Sequence, residues 1–123
     1  MTGVQATMTG KRVLVVEDDY FIAKGLARSL KALGADVLGP VATVADALEL
    51  IGAEPLDGAV LDIKLRGDFI YPVADALTER DVPFIFATGY SSGAIPERYA
   101  AIVRCVKPVE PDAFIQALFS PAP

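Results

Sequence analysis

Five short apolar segments, separated by stretches with helical periodicity, most constrain what this chain can fold into. They lie at residues 12–17, 36–40, 58–62, 83–87 and 102–106. Such segments lack a polar face, which is typical of strands in a parallel sheet that helices cover on both sides. Each strand–helix–strand unit of this kind crosses over with a right hand. The sequence therefore predicts an α/β fold with a doubly wound, five-stranded parallel sheet and helices on both faces.

The stretches between the strands carry helix signals. Helical stripes place helices at residues 22–33, 44–51 and 71–80, and a last helix opens at Pro111. The second helix is expected to turn four apolar residues inward, namely Val44, Ala47, Leu48 and Ile51. Residues 89–96 hold two glycines, two serines and a proline, so a loop is predicted there. Only a weak helix is predicted after it, over residues 96–101.

Composition excludes several classes of function. The chain has no histidine and a single cysteine, so a Ser-His-Asp triad, a His-ligated zinc site and an intrachain disulfide are all excluded. Its net charge of −5 disfavours nucleic-acid binding. No apolar run approaches the ~20 residues of a membrane span and no secretory signal is visible, so we expect a cytoplasmic protein without membrane contact. The 123 residues suit one domain over 11–120, after a polar, flexible tail over 1–10.

The polar residues of most interest lie where the strands end. In chain order they are Glu17, Asp18 and Asp19 after the first strand, Asp62 after the third, Thr88 after the fourth and Lys107 after the fifth. Open parallel sheets bind ligands beyond the carboxyl ends of their strands. Clustered carboxylates repel one another unless a cation lies among them, and the lack of nearby histidine or cysteine favours a hard ion such as Mg²⁺. A carboxylate nucleophile, Mg²⁺, a lysine and a hydroxyl together suit phosphoryl transfer.

Several polar residues also have plainer interpretations. Asp19 is expected to cap the first helix. Taken singly, Thr88 would be a turn hydroxyl and Lys107 a surface lysine, and only their context favours a site. Arg66 and Asp68 are expected to belong to a solvated loop.

Taken together and in this order, the strand-end residues resemble the active site of response regulator receiver domains from two-component systems. The resemblance covers about residues 11–118 and implies a flavodoxin-like sheet with strand order 2-1-3-4-5. It implies that Asp62 accepts a phosphoryl group from a sensor histidine kinase or a phosphotransfer protein. It also implies that Asp18 binds Mg²⁺ directly and that Glu17 reaches the ion through water.

The resemblance assigns roles to three more residues. Lys64, two residues after Asp62, would offer its backbone carbonyl to the metal. The Thr88 hydroxyl would move to bond a phosphoryl oxygen, and Lys107 would pair with the phosphoryl group. The bond between Lys107 and Pro108 is cis in many of these domains.

The chain departs from the common receiver pattern at one position. Most receivers have an aromatic residue three positions before the lysine, where this chain has Arg104. Residues 84–90, Phe-Ile-Phe-Ala-Thr-Gly-Tyr, resemble an atypical subfamily. Its members occur mainly in alphaproteobacteria, often as stand-alone receivers, and often have a poorly formed fourth helix. We hypothesise that Tyr90 and its loop replace the aromatic switch, while Arg104 either pairs with a carboxylate or is an exposed edge-strand residue.

The sequence thus predicts a stand-alone, Mg²⁺-dependent signalling switch rather than a turnover enzyme, with no output domain. Its output would pass to an unidentified downstream protein, or it would act as a phosphate sink, and we expect a monomer or weak dimer. One alternative is a receiver-fold binding module that works without phosphorylation. Another is a phosphatase of the haloacid dehalogenase type. The sequence disfavours this last reading because that family needs Asp-x-Asp after its first strand, where this chain has Glu17-Asp18-Asp19-Tyr20.

Overall fold

The computed structural model describes residues 8–89, 95–107 and 109–119, and these build one five-stranded parallel sheet. The strands are β1 (Arg12–Val16), β2 (Asp36–Val41), β3 (Gly58–Asp62), β4 (Phe84–Thr88) and β5 (Arg104–Val106). They lie in the order 2-1-3-4-5. The predicted flavodoxin-like sheet is therefore confirmed, and β1 and β3 are neighbours at its centre.

Four α-helices and one short turn of 3₁₀ helix are found in the described part of the chain. They are α1 (Tyr20–Ala32), α2 (Val44–Ala53), α3 (Tyr71–Glu79), the 3₁₀ turn (Glu97–Tyr99) and α4 (Pro111–Leu118). The 3₁₀ turn lies between β4 and β5, where the sequence predicted only a weak helix. The expectation of a short or poorly formed helix at this place is confirmed. No helix in the described ranges is long and apolar enough to cross a membrane.

The sheet separates two apolar cores, because successive strand residues point to opposite faces. Leu14 and Val16 of β1 face the core that α2, α3 and the 3₁₀ turn cover. Val13 and Val15 face the core that α1 and α4 cover. The second core also contains Met8, which is fully buried although the sequence placed it in a loose tail. Helices thus cover both faces, as predicted.

Two local features differ from the sequence-based expectations. Leu48 was predicted to face the core, but the residue is 38% exposed, so that prediction is wrong. The buried residues of α2 are Ala47 and Ile51, because the packing of the helix on the sheet fixes its rotation. The segment after β3, expected to be a solvated loop, forms a hairpin in which Lys64–Leu65 pairs with Asp68–Phe69.

Asp19 caps α1, as predicted from the sequence. Its carboxylate Oδ1 accepts hydrogen bonds from the backbone N–H groups of Phe21, at 3.0 Å, and Ile22, at 3.1 Å. These amides have no partner within the helix, so the side chain satisfies donors that would otherwise depend on water. The cap also fixes the point at which the chain leaves β1 and enters α1.

Replacing Asp19 with alanine is expected to lower the free energy of unfolding by about 1 kcal/mol, because both amides lose their acceptor. Urea unfolding at neutral pH measures the change. Asp19→Ser is the matched control, since serine keeps an oxygen at the capping position and should restore most of the loss. Equal losses in the two variants would contradict the capping role.

Candidate functional site

Three carboxylates converge at the carboxyl ends of β1 and β3. Glu17 and Asp18 follow β1 directly, and Asp62 is the last residue of β3. Because β1 and β3 are paired neighbours, these ends lie side by side. One oxygen from each of the three residues lies within 4.8 Å of the others. Glu17 and Asp62 are only 5% and 7% exposed, so their charges are largely removed from water.

Lys107 supplies the positive charge that these carboxylates need. Its Nζ lies 2.8 Å from Oε1 of Glu17 and 3.1 Å from Oδ2 of Asp62. The backbone N–H of Lys107 donates to the carbonyl oxygen of Thr88 at 2.8 Å, so the ends of β5 and β4 hold the lysine in place. The lysine side chain is 14% exposed, and it therefore bridges two carboxylates in a setting where water screens little.

The pKa values of Asp62 and Lys107 depend on burial and on the neighbouring charges. Burial and the neighbouring Glu17 raise the pKa of Asp62 from 3.8 to about 7, although Lys107 acts in the opposite direction. Burial alone would lower the pKa of Lys107, but Glu17 and Asp62 raise it overall. Lys107 therefore stays charged, and Asp62 carries a proton part of the time at neutral pH. One lysine does not fully offset the carboxylates of this site.

The remaining predicted site residues line the same open cavity of about 490 Å³. Thr88 is half-buried at the end of β4. Lys64 is exposed on the hairpin, and its Nζ lies 5.9 Å from the centroid of the Phe69 ring. The structure therefore brings Glu17, Asp18, Asp62, Lys64, Thr88 and Lys107 to one place.

Sequence reasoning missed the part that Arg66 plays in this site. The backbone N–H of Arg66 donates to Oδ2 of Asp18 at 2.9 Å, and its Nε lies 3.8 Å from the same oxygen. Arg66 was expected to be solvated, and its side chain is indeed 88% exposed. It was not expected to contact the site, and that part of the prediction is wrong. The Arg66-Gly67 dipeptide was the available signal, because glycine marks a tight turn.

Of the two switch candidates, Arg104 is among the described residues and Tyr90 is not. Arg104 lies on β5 in register with Phe86 of β4, and its side chain is exposed. Tyr90 lies outside the described residues, as does Pro108 and with it the proposed cis bond. The roles of Arg104 and Tyr90 in switching therefore stay predictions.

No family model matches the chain, but comparison with curated proteins and solved structures finds several relatives. The solution structure of SdrG from Sphingomonas melonis Fr1 is 39% identical with a TM-score of 0.77, over 91% of this chain and 94% of that one. A crystal structure of a response regulator from Burkholderia pseudomallei, with a phosphorylated aspartic acid and a calcium ion, is 30% identical with a TM-score of 0.74. It matches over 88% of this chain and 66% of that one. This chain belongs to the response regulator receiver family.

A curated relative supports the same assignment for the receiver. The phyllosphere-induced regulator PhyR of Methylorubrum extorquens is 32% identical over 115 residues, which is 87% of this chain and 43% of that protein. The receiver spans about half the length of the curated relatives that it matches. Its response regulator homologues support a role in phosphorylation-based signalling, and they are signalling proteins rather than turnover enzymes. Receiver domains typically bind a metal ion in an acidic pocket, and Glu17, Asp18 and Asp62 form a cluster of that kind.

Proposed function

We propose that this receiver is a Mg²⁺-dependent switch that accepts a phosphoryl group on Asp62. The donor would be a phosphohistidine on a sensor histidine kinase or a phosphotransfer protein. The observation that carries the proposal is the placement of Asp62, which lines an open cavity with two further carboxylates beside it and Lys107 at 3.1 Å. The Burkholderia neighbour, whose structure contains a phosphorylated aspartic acid, supports an aspartate as acceptor.

The residues at this site fit a hard divalent cation. The three clustered side chains offer carboxylate oxygens, which Mg²⁺ prefers. The sequence contains no histidine, whose imidazole would favour a different metal ion. The raised pKa of Asp62 fits a site that gains by taking up positive charge. We assign Asp18, Asp62 and the Lys64 carbonyl as direct ligands, and Glu17 as a ligand through water. When bound, the ion would neutralise charge on the transferring phosphoryl oxygens.

The chain's own residues would carry the transfer as follows. The deprotonated Asp62 carboxylate attacks the phosphorus atom, forming the new O–P bond. The P–N bond to the donor imidazole breaks, and the imidazole nitrogen keeps that electron pair. Lys107 lies within reach of Asp62 and would pair with a phosphoryl oxygen, while Glu17 holds its ammonium group in position. The Thr88 hydroxyl would bond another phosphoryl oxygen and draw the end of β4 towards the site.

The consequence would be a shift between two conformations of the surface near β4 and the 3₁₀ turn. An unidentified downstream protein would read that surface, or the receiver would drain phosphoryl groups from its kinase. We place the receiver in the cytoplasm as a monomer or weak dimer. Its net charge of −5 gives no reason to expect binding to nucleic acid.

Intact-mass measurement after incubation with a small phosphodonor and Mg²⁺ tests the proposal. We expect the wild type to gain one phosphoryl group, and Asp62→Asn or removal of Mg²⁺ to abolish the gain. If Mg²⁺ binds but no group is gained, the incubation is repeated with a phosphorylated histidine kinase in place of the small donor. Absence of both Mg²⁺ binding and phosphorylation would contradict the switch and favour a binding module that works without phosphorylation.

A further inference from the structure

We propose that Arg66 is a positioning residue for the metal site: its backbone N–H orients Asp18, and its guanidinium competes with the metal ion for that carboxylate. The inference rests on the proposed function and extends it to a residue that contacts Asp18. The two contacts that carry it are the 2.9 Å hydrogen bond from the Arg66 N–H to Oδ2 of Asp18 and the 3.8 Å approach of Nε to the same oxygen.

The hairpin that contains Arg66 fixes the position of the amide that donates this hydrogen bond. Leu65 is 2% exposed and Ile70 is fully buried, so both sides of the turn are anchored in the core. The backbone N–H of Ile70 donates to the carbonyl of Ile63 at 2.9 Å and closes the base of the hairpin. Gly67 has a φ of +79°, which L side chains rarely adopt, and this conformation allows the tight turn after Arg66. The amide of Arg66 is therefore held towards Asp18 by backbone geometry.

The cations around the three carboxylates are divided between two places. Lys107 pairs with Glu17 and Asp62, whereas Arg66 pairs with Asp18. A divalent ion that binds Asp18 must approach this guanidinium, and the two positive charges repel each other. The Arg66 side chain is 88% exposed, so solvent and salt screen the repulsion and its effect is modest. Arg66 should thus weaken Mg²⁺ binding through its side chain while its backbone favours the geometry that binding needs.

Calorimetric titration with MgCl₂ alone, at pH 8 and low salt, tests the role of the side chain. Arg66→Gln is expected to tighten Mg²⁺ binding about two- to fivefold, because an exposed ion pair has that order of strength. The gain should shrink at high salt. Arg66→Lys keeps the charge and should bind Mg²⁺ like the wild type. Arg80→Gln makes the same charge change at an exposed position at the C-terminal end of α3 and should leave the affinity unchanged.

The role of the backbone is tested with Gly67→Val and a matched control, Gly10→Val. Both glycines have positive φ, +79° and +77°, and open space where a Cβ would lie, so valine strains the two turns alike. Gly67→Val should weaken Mg²⁺ binding severalfold, because the Arg66 amide then shifts away from Asp18. Gly10→Val should lower thermal stability without changing the Mg²⁺ affinity. Far-ultraviolet circular dichroism confirms that each variant is folded before titration.

The outcomes separate this inference from the function on which it rests. Equal Mg²⁺ affinities in Arg66→Gln, Arg80→Gln and the wild type would overturn the side-chain role of Arg66. Weaker binding by Arg66→Gln would overturn it as well, since it would make the guanidinium a support rather than a competitor. Equal affinities in Gly67→Val and Gly10→Val would overturn the backbone role. If the wild type itself binds no Mg²⁺, the proposed function fails together with the inference.

Discussion

Lys107→Met is expected to lower the free energy of unfolding by about 3 kcal/mol at pH 7.5 without divalent ions, the largest loss among our predictions. The Lys107 ammonium contacts Glu17 at 2.8 Å and Asp62 at 3.1 Å. Methionine has a similar length and no charge, so two buried carboxylates would lose their shared cation. Removing one partner of a buried ion pair leaves an uncompensated charge, which costs far more than the pair itself contributes. Urea unfolding followed by circular dichroism measures the loss.

The chain offers a matched control and a rescue for this prediction. Lys64 lines the same cavity but is exposed on the hairpin, so Lys64→Met should change stability by less than about 0.5 kcal/mol. The double variant Lys107→Met/Asp62→Asn should recover much of the lost free energy of unfolding, because it removes one of the two carboxylate charges left without a cation. Strictly additive effects of Lys107→Met and Asp62→Asn would contradict the direct coupling of these residues.

The location of the site could be predicted from the sequence largely because the topology of a parallel sheet determines where the strand-end residues lie. Carboxyl ends of neighbouring strands meet at one edge, so locating the ends of β1, β3, β4 and β5 was enough to bring five of the site residues together. The sixth, Lys64, was assigned from the resemblance to receiver domains. The strand signals were strong because buried strands carry uninterrupted apolar runs. Lys107 illustrates the point: its type says little alone, but its position after β5 indicated where its charge would lie. The distances and the pKa of Asp62 required the structure.

Features set by backbone contacts or by packing across the fold could not be predicted in the same way. Arg66 contacts Asp18 mainly through a backbone N–H, a group that every residue except proline has, so no residue type signals it. Tyr99 is another example: it is 3% exposed in the short 3₁₀ turn, and its ring stacks on Tyr71 with centroids 5.6 Å apart. That stack joins α3 to a segment 28 residues later. Local periodicity carries no information about such a pairing.

Asp62→Asn is expected to stabilise the metal-free receiver at pH 8 by an amount on the order of 3 kcal/mol, and to have little effect near pH 4. The pKa of Asp62 is about 7 in the folded protein against an ordinary value of 3.8. Between these two pH values the folded state holds a proton that the unfolded state has released, so stability falls as pH rises through this window. Asparagine is neutral at every pH and removes this loss, although it also weakens the contact with Lys107.

The difference between Asp62→Asn and the wild type should therefore grow from about pH 4 to about pH 7 and then level off. Thermal and urea unfolding from pH 4 to 8.5 in the presence of a chelator would trace the curve. Glu49→Gln neutralises an exposed carboxylate on α2 and should change stability by less than about 0.5 kcal/mol. A pH-independent difference would contradict a raised pKa of Asp62. Saturating Mg²⁺ should stabilise the wild type more than Asp62→Asn, because the ion binds the carboxylates of the folded state. The ion then offsets the negative charge that a proton on Asp62 offsets at lower pH. The stability difference between Asp62→Asn and the wild type at pH 8 should therefore become smaller.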